Sequence, residues 1–143
     1  MKKLAIFFLL VIIIITSMWA MYFNYKVKVK QTNKKNYSYS SYLDKEISGS
    51  ELTSIINRAI DNNTLNEVTK DKKGKYINNH ENSISIKIKM LDDGKIYDME
   101  KIYNGGMNNF VIYYGEIKFK CTKIEYHQLT KLVKSMLFEQ ITQ

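Results

Sequence analysis

Three hydrophobic periodicities divide this chain. Residues 4–23 (LAIFFLLVIIIITSMWAMYF) are continuously uncharged and mostly apolar, with Lys2 and Lys3 before them and Lys26 after them. At about 1.5 Å of rise per residue, a helix of that length matches the roughly 30 Å hydrocarbon thickness of a bilayer. Leu52, Ile55, Ile56, Ala59 and Ile60 then recur at helical spacing. That stripe predicts an amphipathic helix with Thr53, Asn57, Arg58 and Asp61 on its polar side. From Ile84 the period becomes two: Ile84, Ile86, Ile88 and Met90 alternate with Ser85, Lys87 and Lys89, and Ile117, Phe119 and Cys121 alternate with Lys118, Lys120 and Thr122. Alternation of this kind predicts half-buried strands.

Punctuation between these runs sets the element boundaries. Ser48 and Glu51 have capping-box spacing, with Ser50 as a competing N-cap, and Asn62-Asn63-Thr64 closes the helix. Asp71-Lys72-Lys73-Gly74 reads as a turn, Lys75-Tyr76-Ile77 as a short strand, and residues 78–82 as a loop. Asp93-Gly94 supplies the pair that a two-residue type I′ hairpin needs. That register sets Lys89 opposite Asp98 and Lys87 opposite Glu100 on the wet face, with Met90 opposite Tyr97 and Ile88 opposite Met99 on the core face. Asn104-Gly105-Gly106 breaks the chain, and Met107–Tyr114 then reads as a short helix with Met107, Phe110, Val111 and Tyr114 on one face and Gly115 as its stop. A turn near 127–130 returns the chain as a last strand over residues 132–141. The expected fold is α+β: an N-terminal transmembrane helix, then one amphipathic helix packed on an antiparallel sheet of about four strands. Residues 1–25 are the anchor, residues 26–46 a basic, tyrosine-rich stalk, and residues 47–143 one small domain.

Charge adds an address. The net charge is +8, yet Lys2, Lys3, Lys26, Lys28, Lys30, Lys34 and Lys35 all precede Asp44, the first acidic residue. The remainder carries fifteen Lys and Arg against fourteen Asp and Glu, so it is nearly neutral. The basic character therefore belongs to the flanks of the apolar run, and nucleic-acid binding loses its main support. Lys26, Lys28, Lys30, Lys34 and Lys35 instead suit anionic headgroups or cell-wall polyanions, or form a solvated stalk. The same stretch interleaves Tyr37, Tyr39 and Tyr42, which are read as packing on the domain edge or the membrane interface. The apolar run is long for a cleaved signal. Cuts after Ala20 or Ser17 would put Met18 or Ile15 at the −3 position, where small residues are required, so an uncleaved anchor is expected. A strict positive-inside count would hold the domain in the cytoplasm. The short N-terminal tail, with two lysines and its α-amine, resists crossing, and the layout is that of an export signal. The expected location is a bacterial cytoplasmic membrane, crossed once, with the C-terminal domain outside.

Candidates for chemistry are few. Cys121 and His127 are a nominal nucleophile and base, but six strand residues separate them by about 20 Å. The alternation of Cys121 with Phe119 and Ile117 makes it a buried structural thiol. His80 and Glu81 are adjacent and diverge, and they lack the acid count of a calcium loop. Asp92 and Asp93 are explained by their turn. Asn104-Gly105-Gly106 is followed by no phosphate-binding pattern. Asp98 and Glu100, two apart on one strand face, would stand about 7 Å apart, a spacing some carboxylate pairs use, though Lys89 and Lys87 would face them. No catalytic, cofactor-binding or metal-ligating residue is therefore assigned, and no cofactor is implied.

The segments ISGSELTSIINRAIDNN, NSISIKIKM, YDMEKIY and IKFKCTKIEYH resemble a group of uncharacterised small membrane-anchored proteins of low-GC Gram-positive bacteria, over about residues 42–141. The resemblance implies a location and a lineage and carries no activity. The layout is also similar to that of pilin-like subunits, although their processing site, a Gly before the apolar run and a Glu just inside it, is not in this sequence. The function expected is non-catalytic: a single-pass protein presenting a small extracytoplasmic α+β domain as an adaptor or assembly subunit. A pilin-like or secretion-complex subunit assembling through its apolar helix is the alternative, ahead of a cell-wall-acting enzyme using Asp98 or Glu100.

Overall fold

The computed structural model describes residues 2–142. Helix α1 spans Lys2–Ser40. None of its apolar stretch is buried, and it is long and apolar enough to cross a membrane. The stretch read as a stalk is thus helical through residue 40. The chain divides into two compact units between Lys35 and Asn36.

The second unit is α+β. After the last turn of α1 come β1 (Glu46–Ser48), α2 (Gly49–Leu65), β2 (Ser85–Lys89), β3 (Ile96–Asp98), α3 (Met99–Asn104), α4 (Met107–Tyr114), β4 (Lys118–Tyr126) and β5 (Val133–Gln140). The strands form one sheet in the order β1-β4-β5-β2-β3. It has five strands rather than about four, and it is mixed rather than antiparallel, because β5 lies parallel to β2. The added strand, β1, is three residues long and too short to carry a readable period.

Helix α2 forms where its stripe predicts. Leu52, Ile55, Ile56, Ala59 and Ile60 are all buried. They share one core with Ile86 and Ile88 of β2, Phe119 and Cys121 of β4, and Met136 and Phe138 of β5. Ser48 is the N-cap, its hydroxyl accepting the Glu51 amide at 3.2 Å. The helix runs past the expected asparagine stop to Leu65. Thr53, expected on the polar face, is buried and donates to the Ser50 carbonyl at 2.6 Å. Tyr39 is buried and Tyr42 packs beside it, with the Arg58 guanidinium 5.7 Å from each ring centroid.

The β2–β3 hairpin forms in a different register. Lys87 faces Asp98 and Ile88 faces Tyr97, a slide of two residues from the expected pairing. The cause lies in the turn. A type I′ turn needs positive φ at both central residues, and of Asp93 and Gly94 only Gly94 has it, at +65°. Asp93 instead folds its carboxylate back onto the Lys95 amide at 2.9 Å and the Tyr97 hydroxyl at 2.5 Å. The connection lengthens to residues 91–94, closed by the Met90 amide on the Lys95 carbonyl. Because the slide is even, the core and wet faces keep their identities. The strand then ends at Asp98, so Met99 and Glu100 open a helix instead of continuing the hairpin. The expected strand at 75–77 reduces to an isolated bridge between Lys70 and Tyr76.

Two glycines set the approach of α2 to α4. A Cβ on Gly49 would stand 1.9 Å from the Tyr114 carbonyl oxygen, and one on Gly115 would stand 3.0 Å from Ser50 Oγ. The bare backbones let the Gly49 and Ser50 amides donate to the Ile117 and Gly115 carbonyls at 2.9 and 3.0 Å.

Candidate functional site

Cys121, His127, Asp98 and Glu100 each have a partner in the structure. Cys121 is fully buried on the inner face of β4. Burial pushes its thiol up to about 11, a backbone hydrogen bond at Lys123 only partly opposing the shift. A thiol held that high is protonated at neutral pH and is no nucleophile. His127 lies one residue past the end of the same strand, buried, with Nε2 2.8 Å from the Ser83 carbonyl.

Asp98 and Glu100 do not form a pair on a strand face. Asp98 ends β3, where its carboxylate meets Lys75 Nζ at 2.7 Å. Lys89, its expected partner, instead meets Glu139 on the parallel neighbour β5 at 3.3 Å. Glu100 is buried in the first turn of α3 and accepts the Tyr76 amide at 3.1 Å. That contact holds the long 66–84 connection against the domain, a role the expected strand pattern hid. His80 and Glu81 are exposed, while the side-chain oxygen Oδ1 of the neighbouring Asn79 accepts the amides of Glu81, Asn82 and Ser83. Among the described residues no group of three His, Cys, Asp or Glu side chains is gathered for a metal, and no buried side-chain nitrogen or oxygen lacks a partner.

Two hollows among the described residues lie elsewhere, around the β2–β3 turn, α3 and α4. One hollow of about 330 Å³ is lined by Met90, Asp92, Asp93, Tyr97, Lys101, Ile102 and Tyr114. A second of about 220 Å³, between α3 and α4, shares Ile102 and Tyr114 and adds Gly105, Gly106, Asn109, Phe110 and Tyr113. In the first hollow Asp93, Tyr97 and Lys101 are engaged with one another. Lys101 Nζ sits 4.3 Å over the Tyr97 ring, and Tyr97 donates to Asp93. That hydrogen bond raises the Tyr97 hydroxyl above its usual value and lowers the Asp93 carboxyl below its own. Phe110 and Tyr114 stack at 5.1 Å in the wall of the second hollow, and Tyr114 also lines the first.

Helix α4 occupies the expected residues, with Phe110 buried and Gly115 following its last turn. Its outer side departs from expectation. Val111 is exposed, and Ile112 and Tyr113 are each 75% exposed. The signal was available in the sequence: residues 102–115 contain no charged side chain. An unbroken apolar or neutral run around a short surface helix leaves apolar side chains outside whichever face is buried. The outer side of α4 thus presents an apolar contact surface.

No family model, curated protein or solved structure matches this chain.

Proposed function

We propose that this is a non-catalytic membrane-anchored protein whose α+β domain serves as an adaptor or assembly subunit outside a bacterial cytoplasmic membrane. The observation that carries the reading is the uncharged, unburied run at residues 4–23, joined in one chain to a folded domain. In that domain Cys121, His127, Asp98 and Glu100 are each held by structural contacts. A protein so built acts by position and contact rather than by turnover. The lysines at 26, 28, 30, 34 and 35 then lie against anionic headgroups or cell-wall polyanions, and residues 4–23 remain in the bilayer uncleaved.

Crosslinking intact membranes and isolating the chain under denaturing conditions tests this. The expected result is a stoichiometric complex, with another polypeptide or with further copies of itself, retained in the membrane fraction after alkaline washing. A chain recovered only as a partner-free monomer, or released by the wash, contradicts it.

A further inference from the structure

We propose that Asn104 is a modification site: it deamidates without an enzyme, closing on the Gly105 amide and reopening as a mixture of aspartate and isoaspartate. The chemistry depends neither on where the domain lies nor on what it contacts.

Two conditions favour this reaction, and they coincide at Asn104. The first is an uncrowded nucleophile. Attack comes from the amide nitrogen of the residue after the asparagine, and a Cβ on that residue crowds it. Asn104 is the only asparagine followed by glycine. The second is a side chain at liberty to turn onto the backbone. Asn36, Asn62, Asn63, Asn66, Asn79 and Asn82 each donate a hydrogen bond from the side-chain amide. Among the described residues no such bond holds Asn104, and both it and Gly105 are exposed.

The place in the fold supplies the motion. Helix α3 is six residues long and is pinned at its start, where Met99 and Glu100 are buried. Its last turn lacks such burial. Gly105 donates to the Lys101 carbonyl at 3.0 Å and Gly106 to the Tyr103 carbonyl at 3.3 Å, while Tyr103 is 44% exposed. A helix end of this kind opens locally without unfolding the domain. Breaking the bond between Gly105 and Lys101 frees the amide that attacks.

The Gly105 amide gives its proton to solvent, and its nitrogen bonds to Cγ of Asn104. The Cγ–Nδ2 bond breaks, Nδ2 leaves as ammonia with a proton from solvent, and a cyclic imide remains. Water then opens the ring. Cleavage between the nitrogen and Cγ gives aspartate. Cleavage between the nitrogen and the main-chain carbonyl carbon gives isoaspartate, with the backbone rerouted through Cβ and Cγ. One water is taken up and one ammonia released, and nothing is oxidised or reduced. Either product puts a negative charge into the run from Ile102 to Gly115, which carries none. The charge falls at the C-terminal end of α3, where the helix dipole opposes it. Gly105 and Gly106 line the hollow of about 220 Å³, and isoaspartate lengthens the backbone beside them by one methylene. Old copies of the chain thus differ from new ones at the α3–α4 surface.

The test holds the full-length chain in detergent micelles for days at neutral pH. The tryptic peptide of residues 102–118 is then fragmented in a mass spectrometer by a method that distinguishes isoaspartate. Asn104 should convert faster than Asn108 and Asn109 of the same peptide by about tenfold or more, with isoaspartate among the products. Gly105→Ala should slow conversion by a similar factor. Residue 105 has ordinary right-handed helical dihedrals, so alanine takes its backbone and needs only a small shift of the Lys101 carbonyl oxygen, 3.1 Å from the new Cβ. Asn104→Gln, whose ring would be larger, should leave this position unconverted. Conversion no faster than at Asn108 and Asn109, aspartate without isoaspartate, or an unchanged rate in Gly105→Ala overturns the proposal. So does conversion in urea with none in the folded chain, which would mean that the last turn of α3 stays closed.

Discussion

Asn63 on α2 should be among the most costly polar side chains to remove. It is fully buried, and its amide bridges both backbone groups of Ile84: Nδ2 donates to the Ile84 carbonyl at 2.8 Å and Oδ1 accepts the Ile84 amide at 2.8 Å. Ile84 leads into β2 without belonging to its ladder, so the asparagine stands in for a missing neighbouring strand. Asn63→Ala orphans one buried donor and one buried acceptor, each at about 1–3 kcal/mol. The expected loss is about 3 kcal/mol, or roughly a hundredfold in the opening equilibrium. Cys121 provides the assay: it is the chain's one cysteine, fully buried and in the same core. Its labelling rate by a thiol reagent therefore reports opening of the domain and ignores α1. Labelling should accelerate about a hundredfold in Asn63→Ala and hardly at all in Asn57→Ala, an exposed asparagine on the same helix. Acceleration under fivefold would refute the bridging argument.

Two further predictions follow from close contacts and from burial. Gly49→Ala drives a methyl to 1.9 Å from the Tyr114 carbonyl oxygen. It should cost more than about 3 kcal/mol, read as a lowered denaturation midpoint by circular dichroism, whereas a loss under about 1 kcal/mol, no more than an ordinary surface change, would show that α4 moves aside freely. Folding raises the Cys121 thiol from 9.0 to about 11, so the folded state holds this proton more tightly than the unfolded state. The associated stability, on the order of 2–3 kcal/mol, is intact below about pH 9 and is lost as pH rises toward 11. In urea titrations the stability difference between the wild-type chain and Cys121→Ala should narrow over that interval, and a constant difference would contradict the assignment.

Short-range signals carried most of what was legible in the sequence. The stripe from Leu52 to Ile60, the Ser48 cap, the run from Met107 to Gly115 and the last strand each depend on residues within a few positions of one another, and each element formed. What escaped depends on partners far along the chain. Nothing local tells β5 to lie parallel to β2, because these strands are joined through β3, two helices and β4. The hairpin register failed by two because Asp93 found a better use for its carboxylate than a type I′ turn allows. Glu100 looked like a wet-face strand residue, and only the fold brings Tyr76 to it. Gly49 read as part of a helix start, while its closest constraint comes from Tyr114, 65 positions away. The contact surface on α3 and α4 was half visible. The uncharged run marked it, but the hollow of about 330 Å³ beside it exists only once the β2–β3 turn and α3 pack together.

The central claim is a domain displayed outside the membrane on an uncleaved anchor. Lys87 is exposed on the open face of the sheet, so Lys87→Cys provides an accessible thiol while Cys121 stays silent. Intact cells expressing this full-length variant are treated with a membrane-impermeant maleimide, and the labelled chain is then sought in washed membranes. Labelling of full-length, membrane-retained protein without lysis is the predicted result; labelling only after lysis would contradict the account and place the domain in the cytoplasm.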